Sequence, residues 1–258
     1  MKPEKNKSIK KNNVRFKALS VVFAVFIWEI VAIIVDNKIL VAGPGEVFVS
    51  LIKIVTEAGF LKTILFSFKR IVEGFMIAFG LGIVLSVIAA RYKFVEILLW
   101  PYVTLIKTVP VASFIIISLI WLSGEKLATF ISFLMVFPLI YSNVLNGIKS
   151  VDSNLVEMAK VFGVSWVKRI IYIYAPGVKS YLVSACSVAL GTAWKAGIAA
   201  EVIGIVKNSI GEKLYESKIY FMISELFAWT VVIVVLSVLF EKLFLALLNF
   251  LYKELCKL

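Results

Sequence analysis

Charged side chains inside long apolar stretches are the residues of this 258-residue chain best placed to do chemistry in an apolar medium. Lys195 and Glu201 share one such stretch; Glu29, Glu73, Lys107, Glu241 and Lys242 stand in or beside others. Ionisable groups there are costly, and point to function, to pairing with another segment or to snorkelling. Lys195, beside Trp194, has two readings. It faces a solute path and favours an anion, or it pairs with another segment and packs its stem. Six residues apart on a helix, Lys195 and Glu201 point roughly 120° away from each other, so they are no local pair. Glu73 follows Arg70 by three residues, a helical salt-bridge spacing. Glu241 and Lys242 read as a helix-end pair, and Glu29 has no evident local partner.

Other chemistry is excluded by absence. The chain has no His, which removes His bases, His metal ligands and Ser-His-Asp triads. The aspartates, Asp36 and Asp152, both fall in polar connections, so an Asp-based metal site within an apolar segment is not expected. Cys186 and Cys256 are far apart in sequence and make no metal or disulfide pattern; they read as an apolar filler and a tail thiol. No G-x-x-x-x-G-K-[ST] loop occurs, so the chain cannot cradle ATP phosphates by itself.

The elements that position these groups follow from composition. Hydrophobic residues make up 61% of the chain, more than a water-facing surface allows, so a soluble enzyme is excluded. The net charge of +12 suggests nucleic acid only in isolation; in a polytopic membrane protein it marks cytoplasmic loops, and no nucleic-acid partner is expected. The reading is an all-α polytopic protein of the cell membrane with about six spans, at 16–35, 71–90, 100–122, 127–148, 180–204 and 226–250. Residues 1–15 form a basic, disordered cytoplasmic tail before an uncleaved first span, and 16–258 form one transmembrane domain. With both termini inside, seventeen basic residues lie in the cytoplasm and nine outside, so this orientation is favoured. Gly43-Pro44-Gly45-Glu46 makes a turn before an amphipathic surface helix over 47–57.

Two spans carry small residues at every fourth position. These are Gly74, Ala78, Gly82, Ser86 and Ala90, and Ala185, Ala189, Ala193 and Gly197, whose spacing Glu201 continues. Such stripes let helix backbones approach closely in lipid. They serve packing within the bundle, or one of them lines a path or a dimer seam.

The longest cytoplasmic connection, 149–179, carries the strongest signal. Asp152 or Ser153 can cap a short helix with an apolar face from Val156, Ala159, Val161 and Phe162. Gly163 can take the left-handed conformation that ends it. Ser165 can cap a second helix, and Pro176 is expected to break the backbone before the fifth span. The pair either lies on lipid headgroups or contacts a partner.

This segment resembles the EAA loop of binding-protein-dependent ABC importer permeases: E-A-A, three residues, G, nine residues, I, one residue, L-P. Here Glu157-Met158-Ala159 leads to Gly163, then Ile173, then Ala175-Pro176, with the spacing kept. Met158 replaces the first Ala and Ala175 replaces Leu. Further residues resemble the nitrate/sulfonate/taurine (SsuC/TauC-like) branch: Ser67, Arg70, Gly74 and Phe75; Lys107-Thr108-Val109-Pro110; Ile120-Trp121-Leu122 with Gly124; and 147–151.

The resemblance implies a type I ABC importer permease fold and a division of labour. A pair of permease subunits, a homodimer or this chain with a related one, sits in the membrane, and each presents its EAA helix to a cytosolic ATPase dimer. An extracellular or periplasmic binding protein delivers a small solute such as nitrate, a sulfonate or taurine. The resemblance assigns the ATPase contact to Glu157, Met158, Ala159, Gly163, Ile173 and Pro176. It leaves Lys195, Trp194, Glu201 and Pro110 as candidates for the translocation path. This chain is then no enzyme and binds no cofactor; ATP and Mg²⁺ are used by the ATPase. The alternative is a stand-alone ion-coupled secondary transporter, which usually shows repeats and mid-membrane carboxylates. No convincing repeat of the two halves is found, and a membrane enzyme is disfavoured by the missing His and mid-membrane Asp.

Overall fold

A computed structural model describes the backbone of residues 3–37 and 39–255, and side chains at 16, 19–37 and 39–254. Eleven α-helices succeed one another, with no strand among the described residues. They are α1 (Pro3–Val35), α2 (Pro44–Thr56), α3 (Phe60–Arg91), α4 (Lys93–Thr108), α5 (Val111–Ser118) and α6 (Gly124–Lys149), then α7 (Ser153–Val161), α8 (Trp166–Arg169), α9 (Ala175–Ile203), α10 (Ile210–Ile219) and α11 (Ile223–Leu255). Four segments among the described residues are long and apolar enough to cross a membrane: α3, α6, the run Trp166–Ile203 and Ile223–Glu254. The pair α4 and α5 makes a fifth candidate, and Leu19–Val35 is a shorter apolar helix. All six apolar segments of the sequence are thus helical.

Three details differ from the sequence reading. Helix α1 starts at Pro3 and runs through the basic tail, where no disorder-forming break intervenes; Pro at a helix start and the following Glu and Lys favour this. The third span is not straight: α4 and α5 meet at a 102° bend. Pro110 has no N–H and disfavours helical backbone at the residue before it, and Val109 is extended, at φ −79° and ψ 134°. Pro176 does not break the chain. It sits in the first turn of α9, and a π-helical turn, Ile170–Tyr174, joins α8 to α9 without interruption, a local adjustment that lets a helix carry a proline. The surface helix starts at Pro44 with Gly43 as its N-cap, and buries Val47 and Ile54.

The chain divides into two compact units, Met1–Phe60 with Lys213–Val231, and Leu61–Glu212 with Val232–Leu258. In the first, Trp28 stacks on Phe227 at 5.6 Å and donates to the Ala42 carbonyl at 3.0 Å. Lys53 pairs with Glu225 at 2.8 Å. In the second, α6 packs along α9, and both meet α3 at small residues. A Cβ on Gly74 would lie 2.3 Å from the Thr129 carbonyl, one on Gly82 2.9 Å from Ile140, and one on Gly197 2.6 Å from Ile71. The stripes therefore serve packing within the chain, and the α3 stripe ends on buried Ala89 while Ala90 is exposed. Edge-on rings of Phe75 and Phe79 against Phe244 join α3 to α11, with centroids 4.9 and 5.5 Å apart.

Candidate functional site

The EAA-like segment is built mostly from backbone. Asp152 is the N-cap of α7 and its Oδ1 accepts from the Asn154 N–H at 2.9 Å. At the other end Gly163 has φ +67°, a conformation glycine adopts without the Cβ penalty. The Val164 N–H donates to the Ala159 carbonyl at 2.8 Å and the Gly163 N–H to the Lys160 carbonyl at 3.0 Å, the paired bonds of a Schellman turn. Of this nine-residue helix only Ala159 is buried. Its exposed side carries Leu155, Met158 and Val161, followed by Phe162; Val161 is 84% and Phe162 77% exposed. Glu157 is exposed beside them.

Helix α8 and the π-helical turn tie the segment to the bundle. Trp166 opens α8, and the Arg169 guanidinium lies 5.8 Å from its ring centroid. Ile173 is half-buried in the π-helical turn, and Pro176 is exposed at the start of α9. Val151 presses on Gly177, where a Cβ would lie 2.9 Å from its Cγ2. Lys149, the last residue of α6, pairs with Glu96 of α4 at 2.7 Å, and Lys93 reaches the same carboxylate at 3.2 Å.

A second constellation lies at the opposite end of α9. Glu201 is fully buried. Its Oε2 accepts from the Ser67 hydroxyl at 2.8 Å and from the Gly211 N–H at 3.2 Å, and Ser67 Oγ accepts from the Ile210 N–H at 2.9 Å. One carboxylate thus holds α3, α9 and the start of α10 together. Gly211 is required there, because a Cβ would lie 2.3 Å from the Glu201 Cβ. Between Glu201 and Gly211 the chain turns through two non-glycine residues with positive φ, Ile205 at +46° and Asn208 at +60°. Arg70 does not pair with Glu73. One turn after Ser67, it turns inward with its guanidinium 3.5 Å from the Phe66 ring centroid. Likewise Glu241 accepts from the Ser187 hydroxyl of α9 at 2.5 Å instead of pairing with Lys242, since adjacent helix residues point about 100° apart.

The path candidates divide by burial. Trp194 is buried, 6.0 Å from the Phe68 ring, and Glu201 belongs to the network. Lys195 and Pro110 are exposed, and Lys195 makes no hydrogen bond or ion pair among the described residues. Lys107, on the turn before Pro110, donates to Ser142 of α6 at 2.7 Å. The structure therefore does not gather these residues into one cavity. Ser67 and Gly211 are the partners of Glu201 that sequence reasoning missed, and Arg70 stands near them without pairing. Ser67 and Arg70 extend the stripe that starts at Gly74, and that spacing was the available signal. Among the described residues no group of three or more His, Cys, Asp or Glu converges to hold a metal.

The chain is similar to known proteins. A family profile described as binding-protein-dependent transport system inner membrane component matches residues 82–255. A putative ABC transporter permease of Methanocaldococcus jannaschii is 28% identical over 193 residues, covering 73% of this chain and 72% of that protein. A putative aliphatic sulfonates transport permease, SsuC of Bacillus subtilis, is 22% identical over 219 residues, covering 84% and 79%. The crystal structure of an amino acid ABC transporter with histidines shares the fold, at a TM-score of 0.57 and 15% identity, over 80% of this chain and 98% of that one.

Proposed function

The chain belongs to the family of binding-protein-dependent transport system inner membrane components, and from that premise we propose that it works as one of two identical permease subunits of an ATP-driven importer for a small monoanion of the sulfonate or nitrate type. The observation that carries this reading is α7. It is a short helix closed at both ends by its own caps, with Ala159 turned inward and an apolar row turned out. Such a row, fixed on a rigid peg, suits a groove in a cytosolic ATPase. Leu155, Met158, Val161 and Phe162 supply the contact, Glu157 a charge beside it and Gly163 the turn. Ile173 and Pro176 carry the motion into α9 through an uninterrupted helix. ATP and Mg²⁺ act on the ATPase dimer.

The solute reading rests on the sulfonate relative and on the resemblance of the Ser67, Arg70 and Lys107–Pro110 motifs to that branch. An extracellular or periplasmic binding protein delivers it. Both termini lie in the cytoplasm, as the excess of basic residues on that side supports. Lys195, exposed and without an internal partner, faces the second copy and the path; Pro110 sets the bend between α4 and α5.

Two measurements test this. Co-expressed with its ATPase and binding protein, the chain is expected to co-purify with the ATPase and to take up labelled ethanesulfonate or nitrate into proteoliposomes only with ATP. Uptake by the purified chain without nucleotide would overturn the reading. Lys195→Gln is expected to slow uptake or change its range, and an unchanged profile removes Lys195 from the path.

A further inference from the structure

We propose that the cleft between α3 and α6 binds a monoanionic oxyanion, with Arg70 as its principal donor. The cleft has a volume of about 570 Å³, within the range of small-molecule sites. Its polar lining is Lys69, Arg70, Glu73, Glu125, Lys126 and Thr129, between walls of Phe66, Phe130 and Phe133.

Arg70 is the unusual member. It is only 7% exposed, and its Nη1 is buried with no hydrogen-bond partner. Glu201 and Glu125 act on it electrostatically, yet neither forms an ion pair with it. A buried guanidinium donor left open is costly, so an acceptor is expected to fill it. The Phe66 ring lies against the guanidinium, and Arg70 lines the cleft beside it. A planar fork of N–H groups matches two oxygens of a sulfonate, nitrate or phosphodiester. The lining carries three cations and two carboxylates, an excess of one positive charge, which suits a monoanion and disfavours a dianion.

Two sources share this chemistry: a transported oxyanion, which rests on the importer reading, and the phosphodiester of an acidic lipid, which does not. The test uses the full-length chain in nanodiscs without ATP or ATPase. In one arm the nanodiscs are pure phosphatidylcholine and the probe is ethanesulfonate, followed by calorimetry. In the other, phosphatidylglycerol is mixed in and its retention is followed by native mass spectrometry. Arg70→Gln is expected to weaken binding about tenfold or more in one arm, the loss of a charge-assisted hydrogen bond. Lys126→Gln weakens it a few-fold, and Lys62→Gln, outside the lining, leaves it unchanged. The arm that responds names the source. Binding that ignores Arg70→Gln in both arms, or falls equally with Lys62→Gln, overturns the proposal. Should Arg70→Gln fail to insert, wild-type binding by Lys126→Gln overturns it instead. A wild-type chain that binds neither probe yet supports ATP-driven uptake defeats the cleft alone; Arg70-dependent binding without such uptake defeats the importer reading alone.

Discussion

The two ends of α9 are held by opposite means. Before its start stands α7, shaped by backbone caps and showing apolar side chains to its surroundings. At its finish, about 40 Å along a 29-residue helix, Glu201 sits in a shell of side-chain and backbone donors with glycines at close contact. One end can seat in a partner without losing internal bonds. The other cannot move relative to α3 without breaking several. Under the proposed importer reading, a push on the capped α7 would be passed to the packed helices α3, α6 and α9.

Mutations at each end separate the two modes of attachment. Glu201→Ala orphans the Ser67 hydroxyl and the Gly211 N–H, and each buried donor left open costs about 1–3 kcal/mol. The melting temperature of the detergent-solubilised protein should fall markedly, and Glu201→Gln, which keeps an acceptor oxygen, should recover part of it. Equal melting of both variants and wild type would remove the network as an anchor. Gly211→Ala should cost about 1–3 kcal/mol through overpacking, because its Cβ would fall 2.3 Å from the Glu201 Cβ and the backbone must shift. Asp152→Ala removes one cap, worth about 1 kcal/mol. Here the whole-protein melt should stay in place while amide exchange in α7 speeds up. A fall in the global melt would mean that α7 is part of the same packed unit.

Much of the α7 end is legible in the sequence, because caps are local. Asp152 and Gly163 declare themselves by residue type and spacing, and the structure realises both. The small-residue stripes are legible for the same reason, although sequence alone leaves open what they pack against. The other end depends on long-range geometry. Nothing near Glu201 in sequence announces Ser67, 134 residues away. Arg70 and Glu73 have the spacing of a salt bridge, and only the neighbouring Phe66 ring and the interior of the bundle draw Arg70 away. Prolines mislead in both directions. Pro110 bends a stretch that hydropathy reads as one span, while Pro176 is absorbed by a π-helical turn that composition does not reveal.

Transmission of ATP hydrolysis to the bundle through α7 is tested most directly by Gly163→Val. Valine at φ +67° strains the turn, by about 1–3 kcal/mol, with no side chain nearby to clash. ATP hydrolysis and solute uptake would be measured together in proteoliposomes holding the permease, its ATPase and its binding protein. The expected result is a normally inserted protein whose hydrolysis continues while uptake falls at least several-fold. Wild-type uptake per ATP hydrolysed would contradict transmission through α7.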